Sequence, residues 1–206
     1  DTNGKLVLLA LDMEGKTKWQ VEVCAACEAG GHKGARSTPT IDGSLAYIIS
    51  GEGVISCLET AKGEKKWSRQ MSEFGGRPHN WGFAESVLIH GDQAIVTPGG
   101  PKCIVALDKK SGKDVWASSG FAAPAHYGSC IAVPYGAKEE MIVNGTGGGL
   151  VGVNAKTGAV LWSNEFSKGN TANCPTPAFA DGFLFLANGF GKGGICLKVD
   201  EKTGKA

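Results

Sequence analysis

A turn of one design appears five times along this chain, at nearly equal spacing. The fullest copy is Ala106-Leu-Asp-Lys-Lys-Ser-Gly-Lys-Asp-Val-Trp116. Leu107 ends an apolar run that starts at Ile104, Asp108 can accept a backbone N–H, and Gly112 supplies the positive φ that a tight turn requires. The other copies are 10–19, 57–67, 152–162 and 198–205, the last stopping before a tryptophan is reached. Their glycines, Gly15, Gly63, Gly112, Gly158 and Gly204, are 48, 49, 46 and 46 residues apart; Trp19, Trp67, Trp116 and Trp162 are 48, 49 and 46 apart. So even a period means repeated supersecondary units, and four short strands per ~40–50 residues is the pattern of a β-propeller blade.

A second anchor keeps the same beat. The turn after the first strand of each unit falls at Gly43, Gly91, Gly136 and Gly182, with steps of 48, 45 and 46. The chain divides on this basis into repeats of roughly 1–35, 36–83, 84–128, 129–172 and 173–206 within one unit spanning 1–206. Predicted strands include Leu6–Leu11, Leu45–Ser50, Val54–Leu58, Ala84–Ile89, Ile104–Leu107, Ser129–Val133 and Ile195–Val199. Pro134-Tyr-Gly136 is predicted as a turn, and Gly145–Gly149 and Gly189–Gly194 as loops. Glycine, 32 of 206 residues, is about twice its usual share, in keeping with many tight turns. A tryptophan at one fixed place per blade is suited to burying about 200 Å2 against the next blade. Trp19, Trp67, Trp116 and Trp162, with Gly63, Gly112 and Gly158, are therefore the expected docking residues. Trp81 lies off the repeat, in a connection between blades.

Several functions are disfavoured. The net charge is +1, with 21 basic and 20 acidic residues and no basic tract, which argues against a nucleic-acid partner. No apolar run approaches the ~20 residues needed to span a bilayer as a helix. Gly145-Thr-Gly-Gly-Gly149 lacks the Gly-Lys-Ser/Thr of a phosphate loop and leads into a strand pattern. Asn144-Gly-Thr146 is a formal glycosylation sequon expected to sit in a tight turn. Seven cysteines leave at least one unpaired within the chain. Cys57, Cys103 and Cys196, in apolar runs, are expected to be buried free thiols. Cys24-Ala-Ala-Cys27 has metal or redox spacing and His32 follows, but no second pair completes a zinc site. A local disulfide or plain thiols is the favoured reading, with no metal expected.

The Ala-Leu-Asp-x-x-(Thr/Ser)-Gly-Lys-x-x-Trp pattern resembles the tryptophan-docking motif of the pyrroloquinoline-quinone (PQQ) propeller superfamily. Arg36-Ser-Thr-Pro39, Glu85-Ser86 and Val96-Thr-Pro-Gly-Gly100 most resemble its PQQ-like repeat proteins. The resemblance implies an all-β chain of four-stranded antiparallel blades, about four of them, belonging to a seven- or eight-bladed ring. The remaining blades would come from the rest of the polypeptide or from another copy. It implies a bacterial, periplasmic or extracellular setting. Two functions stand side by side. One is a non-catalytic scaffold binding a protein, small-molecule or carbohydrate ligand in its funnel, with no cofactor expected. The other is part of a quinoprotein dehydrogenase using PQQ and calcium to oxidise alcohols or sugars. Such dehydrogenases sandwich the quinone with adjacent cysteines, and no two cysteines are adjacent here. The segments expected to line the funnel carry Arg36, His79, Trp81, Glu85, His126, Tyr127, Asn173 and Cys174, with no residue assigned as catalytic.

Overall fold

The structure is a computed structural model that describes residues 3–31 and 33–206. It is all-β, built of antiparallel propeller blades in chain order. The first sheet is the hairpin β1 (Lys5–Leu11) and β2 (Thr17–Ala25). The second is β3 (Thr40–Asp42), β4 (Leu45–Ile49), β5 (Val54–Glu59) and β6 (Lys65–Gln70). The third is β7 (Leu88–His90), β8 (Gln93–Val96), β10 (Val105–Asp108) and β11 (Asp114–Ala117). Beside it, β9 (Gly99–Gly100) pairs with β12 (Ala123–Pro124). The fourth is β13 (Ile131–Tyr135), β14 (Glu139–Thr146), β15 (Gly149–Asn154) and β16 (Val160–Asn164). The fifth is β17 (Ala178–Ala180), β18 (Phe183–Asn188) and β19 (Gly193–Lys198). Among the described residues, no helix is long and apolar enough to cross a membrane.

Each four-stranded sheet is a simple meander, so neighbours in sequence are neighbours in space. The two middle strands are nearly all buried, whereas the fourth strand alternates between exposed and buried residues. This follows from stacking sheets face to face: central strands are covered on both faces and need apolar runs, while outer ones are half-wetted. The core is accordingly divided into layers between successive sheets. Tyr47, Ile55 and Trp67 of the second sheet pack with Ala94, Val105 and Leu107 of the third. Met141, Val143 and Trp162 of the fourth pack with Leu184 and Leu186 of the fifth.

The repeated turns hold these layers together. Asp12, Asp108, Asn154 and Asp200 each accept backbone N–H bonds on Oδ1 from residues two to four positions on, closing the turn. Gly63, Gly112 and Gly158 have φ of +74°, +70° and +73°. Trp19, Trp67 and Trp116 lie on these same glycines of the next sheet, where a Cβ would come within 2.7, 2.7 and 2.5 Å of the indole. Their Nε1 atoms donate to the carbonyls of Thr60, Lys109 and Ala155, at 2.9, 3.0 and 3.0 Å, each three residues before the turn glycine. Only glycine meets both demands, a left-handed backbone and no Cβ beneath the ring.

Trp162 differs. Its indole lies on Gly152 of its own sheet and donates to Met141 Sδ at 3.3 Å, and the ring against Gly204 belongs to Tyr135. Tyr135, expected in a turn with Pro134, is in fact the last residue of β13. Pro134 is tolerated because β13 is an edge strand of its sheet, where a missing donor need not cost a ladder bond. The predicted loop 145–149 shrinks to a two-residue turn, since Thr146 of β14 pairs with Gly149 of β15. The predicted strand 84–89 shortens to β7, because Ser86 donates its N–H to Ser129 Oγ rather than to a strand partner. Asn144 is not in a turn but inside β14, 1% exposed, donating to Thr97 Oγ1 and the Gly128 carbonyl. Burial there removes it as a glycosylation acceptor.

Candidate functional site

The connections leading into the second to fifth sheets meet at the inner ends of the blades. Here Thr38 N–H donates to Ser86 Oγ (3.1 Å), Ser86 N–H to Ser129 Oγ (2.9 Å) and Ser129 N–H to Thr176 Oγ1 (3.1 Å). One hydroxyl per unit thus ties each sheet to the one before it. Sequence reasoning missed this ladder as a structural device; the only signal was a hydroxyl recurring at 38, 86, 129 and 176, close to the repeat period.

Beside the ladder lies a pocket of about 440 Å3, lined by Arg36, Trp81, Ala84, Tyr127, Ala172, Cys174 and Phe190. Four connections contribute, and Phe190 comes from the tight loop between β18 and β19. Arg36 is positioned by its own loop, donating from Nη1 to the Gly34 carbonyl (2.7 Å) and from Nη2 to that of Ala29 (2.9 Å). Trp81 lies against Gly30, where a Cβ would approach Cδ1 to 2.3 Å, and its ring centre is 5.9 Å from that of Tyr127. The Tyr127 hydroxyl is hydrogen-bonded to His79 Nδ1 at 2.7 Å, and His79 stacks on His126 with ring centres 4.6 Å apart. The four rings form one continuous wall.

The buried end of that wall is locked. His126 is 6% exposed, and its Nδ1 accepts the Asn173 N–H at 3.0 Å, which puts the proton of the neutral ring on Nε2. Burial, with a smaller contribution from His79, pushes His126 down to about 4, so the ring is neutral at physiological pH. Asn173, with no exposed surface, donates from its amide to the carbonyls of Thr146 and Ser167. Burial raises the hydroxyl of Tyr127 and the thiol of Cys174 above their ordinary values, leaving both neutral.

Of the residues expected in the funnel, Arg36, Trp81, Tyr127 and Cys174 line the pocket and His79 stands directly behind Tyr127. His126 and Asn173 sit a layer deeper and position that wall. Glu85 is elsewhere: it is 2% exposed, Oε1 accepts the Thr97 N–H, and Oε2 is buried with no hydrogen-bond partner. Burial pushes its carboxyl up to about 8. Its surroundings are Thr97, Cys103 and Cys130, so Glu85 belongs to the interior of the sheets rather than to a ligand surface. Phe190 was not foreseen, because it lies within a glycine-rich hairpin loop that gave no sign of reaching the centre.

All seven cysteines are free thiols, so Cys24 and Cys27 do not form the disulfide that was one of the expectations. Cys57 and Cys103 are buried as expected, but Cys196 is exposed, since among the described residues no neighbouring sheet covers the face of β18 and β19 that carries it with Phe183 and Phe185. His32 lies outside the described residues. Among the described residues, no group of three or more His, Cys, Asp and Glu side chains is arranged to hold a metal ion.

The family model described as outer membrane protein assembly factor BamB matches residues 3–206. No curated protein sequence matches the chain significantly. Among solved structures, BamB from Moraxella catarrhalis superimposes with a TM-score of 0.58 at 21% identity, covering 88% of this chain and 49% of that one. The quinohemoprotein alcohol dehydrogenase from Comamonas testosteroni gives 0.56 at 17% identity, covering 84% and 34%. A europium-containing methanol dehydrogenase gives 0.66 at 14% identity, covering 100% and 57%. Identities this low speak for the fold alone. The chain spans about half the length of the BamB structure it resembles.

Proposed function

Because the chain belongs to the family described as outer membrane protein assembly factor BamB, we propose that it is a non-catalytic, extracytoplasmic β-propeller scaffold. On this reading it works in the bacterial periplasm and binds a partner at the inner ends of its blades. The observation that carries the proposal is the character of the pocket. Its lining is aromatic and aliphatic apart from Arg36 and Cys174, and it contains no carboxylate or histidine. The titratable groups behind this pocket are engaged away from a ligand in it, His79 through its Nδ1 bond to the Tyr127 hydroxyl. Glu85 is sealed in the interior, and His126 is buried behind Tyr127 with its Nδ1 already occupied.

The dehydrogenase reading would place PQQ and calcium in this region, and the residues present do not fit them. A calcium ion needs several oxygen ligands, and no carboxylate or amide side chain lines the pocket. No adjacent cysteine pair is available to sandwich a quinone. The test is to add PQQ with Ca2+ and record bound-quinone absorbance and dye-linked oxidation of alcohols and sugars. No stoichiometric quinone and no turnover are expected; turnover abolished by calcium removal would overturn the scaffold reading.

A further inference from the structure

A second cavity, of about 390 Å3, shares His79 with the aromatic wall. Its sides include Pro78, Pro98, Ala123 and Pro124, and its polar side chains are Arg77 and His79. Bare stretches of backbone are pressed together to form it. A Cβ at Gly76 would come within 2.6 Å of the Pro98 carbonyl oxygen, and one at Gly100 within 2.7 Å of that of Gly75. One at Gly99 would come within 2.3 Å of the Ala125 nitrogen, where β9 and β12 pair. The cup is therefore set before any ligand arrives, which removes an ordering cost from binding.

The two polar groups are free to act. Arg77 is exposed, and among the described residues no hydrogen bond, ion pair or aromatic ring engages its guanidinium. Glu73, the nearest carboxylate in sequence, is held by Arg69 Nε and the Gln70 N–H, both at 2.7 Å. His79 commits Nδ1 to the Tyr127 hydroxyl, so Nε2 is the ring nitrogen left for a ligand. The cavity thus offers a fixed cation and an imidazole nitrogen over an aliphatic floor. A metal ion would meet Arg77 and find no carboxylate or thiolate in the lining. A saccharide or a peptide backbone would bury polar groups against prolines, which have no N–H to offer. Inorganic phosphate would satisfy Arg77 and leave the floor uncovered. A molecule with one anionic end and an apolar body meets none of these objections, and the volume, near the lower end of ligand sites, suits a small one.

We propose that this cavity binds a small organic acid, its carboxylate held by Arg77 and His79 and its apolar body laid against Pro98, Ala123 and Pro124. The proposal goes beyond the scaffold reading and does not depend on it. It is tested by calorimetric titration of the intact protein with 3-phenylpropanoate and hexanoate. The neutral 3-phenylpropanamide and inorganic phosphate should each bind at least about tenfold more weakly than the better of the two acids. Arg77→Gln should weaken that acid by at least about tenfold at an unchanged melting temperature, and Arg77→Lys should recover part of the loss. Ala122→Phe, which fills the cavity from an exposed position, should abolish binding. The proposal is overturned if neither acid binds, if acid and amide bind alike, or if Arg77→Gln or Ala122→Phe binds as the parent does. It is also overturned if a peptide ending in a free Leu-Phe carboxylate binds tighter than both acids, since the site would then belong to a chain terminus. Calcium-dependent quinone turnover, which would bring down the scaffold reading, leaves each of these outcomes as it stands.

Discussion

The outer and inner ends of the blades are built from the same few residue types but on opposite principles. At the rim, Trp19, Trp67 and Trp116 each meet a turn glycine and donate to a carbonyl three residues before it, with the same geometry each time. At the inner end, Trp81, Tyr127, His79 and His126 meet in one cluster, two from each of two successive connections. Repetition marks residues whose task is identical in every blade. Departure from repetition marks a surface that exists in one place only, and that is where a ligand site belongs.

The largest effect that would break or confirm this contrast is on stability. Trp116→Ala should cost about 3–5 kcal/mol, since a buried indole leaves a cavity between two sheets, and Trp81→Ala clearly less. Denaturant melts that ranked the two the other way would undo the distinction. Next comes Gly112→Ala, where a Cβ would lie 2.7 Å from the Trp67 ring on a backbone at φ +70°. It should cost about 2 kcal/mol, against about 1 for Gly15→Ala, which has the same strain at φ +80° but open space around it. Equal losses would mean that the ring contact adds nothing to the turn.

Glu85 sharpens the contrast from the inside. Its folded carboxyl titrates at about 8 against an ordinary 4.5, so the folded state binds the extra proton between those values. Stability should therefore be highest below about pH 4.5 as far as this group is concerned and fall as pH rises through 8. Glu85→Gln should remove that fall, leaving the variant more stable than the parent at pH 9 by several kcal/mol, at most about 5. Melting curves from pH 5 to 9 would decide it; a variant with the parent's slope would show that Glu85 does not titrate in this window. His126 acts in the other direction, since its lowered pKa takes stability away as pH falls from 6.5 towards 4. The smallest expected effect is none: Cys24→Ser should leave the metal content unchanged, and elemental analysis finding one zinc or iron per chain that the variant loses would refute this.

How much of this could be read in advance follows from the same division. The period placed Trp67 and Gly112 because one solution, an indole over a bare backbone turn, is written out each time. It failed at Tyr135, where a phenol takes the place at Gly204 that a periodic tryptophan would be expected to fill, and a Pro-Tyr-Gly run disguised a strand end as a turn. The register shift beside each repeated turn, between Cys57 and Leu58 and again between Ala106 and Leu107, also left no trace, because a bulge changes pairing without demanding a particular side chain. Inner residues were legible only as a region. That His79 would bond Tyr127 across 48 residues, and that Glu85 would turn away into the core while its neighbour Ser86 joined the ladder, depended on the path of the connections. No spacing rule encodes that path.

The ladder of hydroxyls has a consequence for curvature. Successive sheets are joined near the centre by hydrogen bonds of about 3 Å, yet at the rim a whole aromatic ring is interposed, an indole at the first two of these joints and the Tyr135 phenol at the third. Each sheet is therefore a wedge, thin at its inner joint and thick at its outer one, like the cut stones of an arch. The difference between the two joints fixes the angle through which the chain bends at every blade. Ser86, Ser129 and Thr176, together with the aromatic rings outside them, thus act as the gauge of the arc, setting how many such wedges would close a circle.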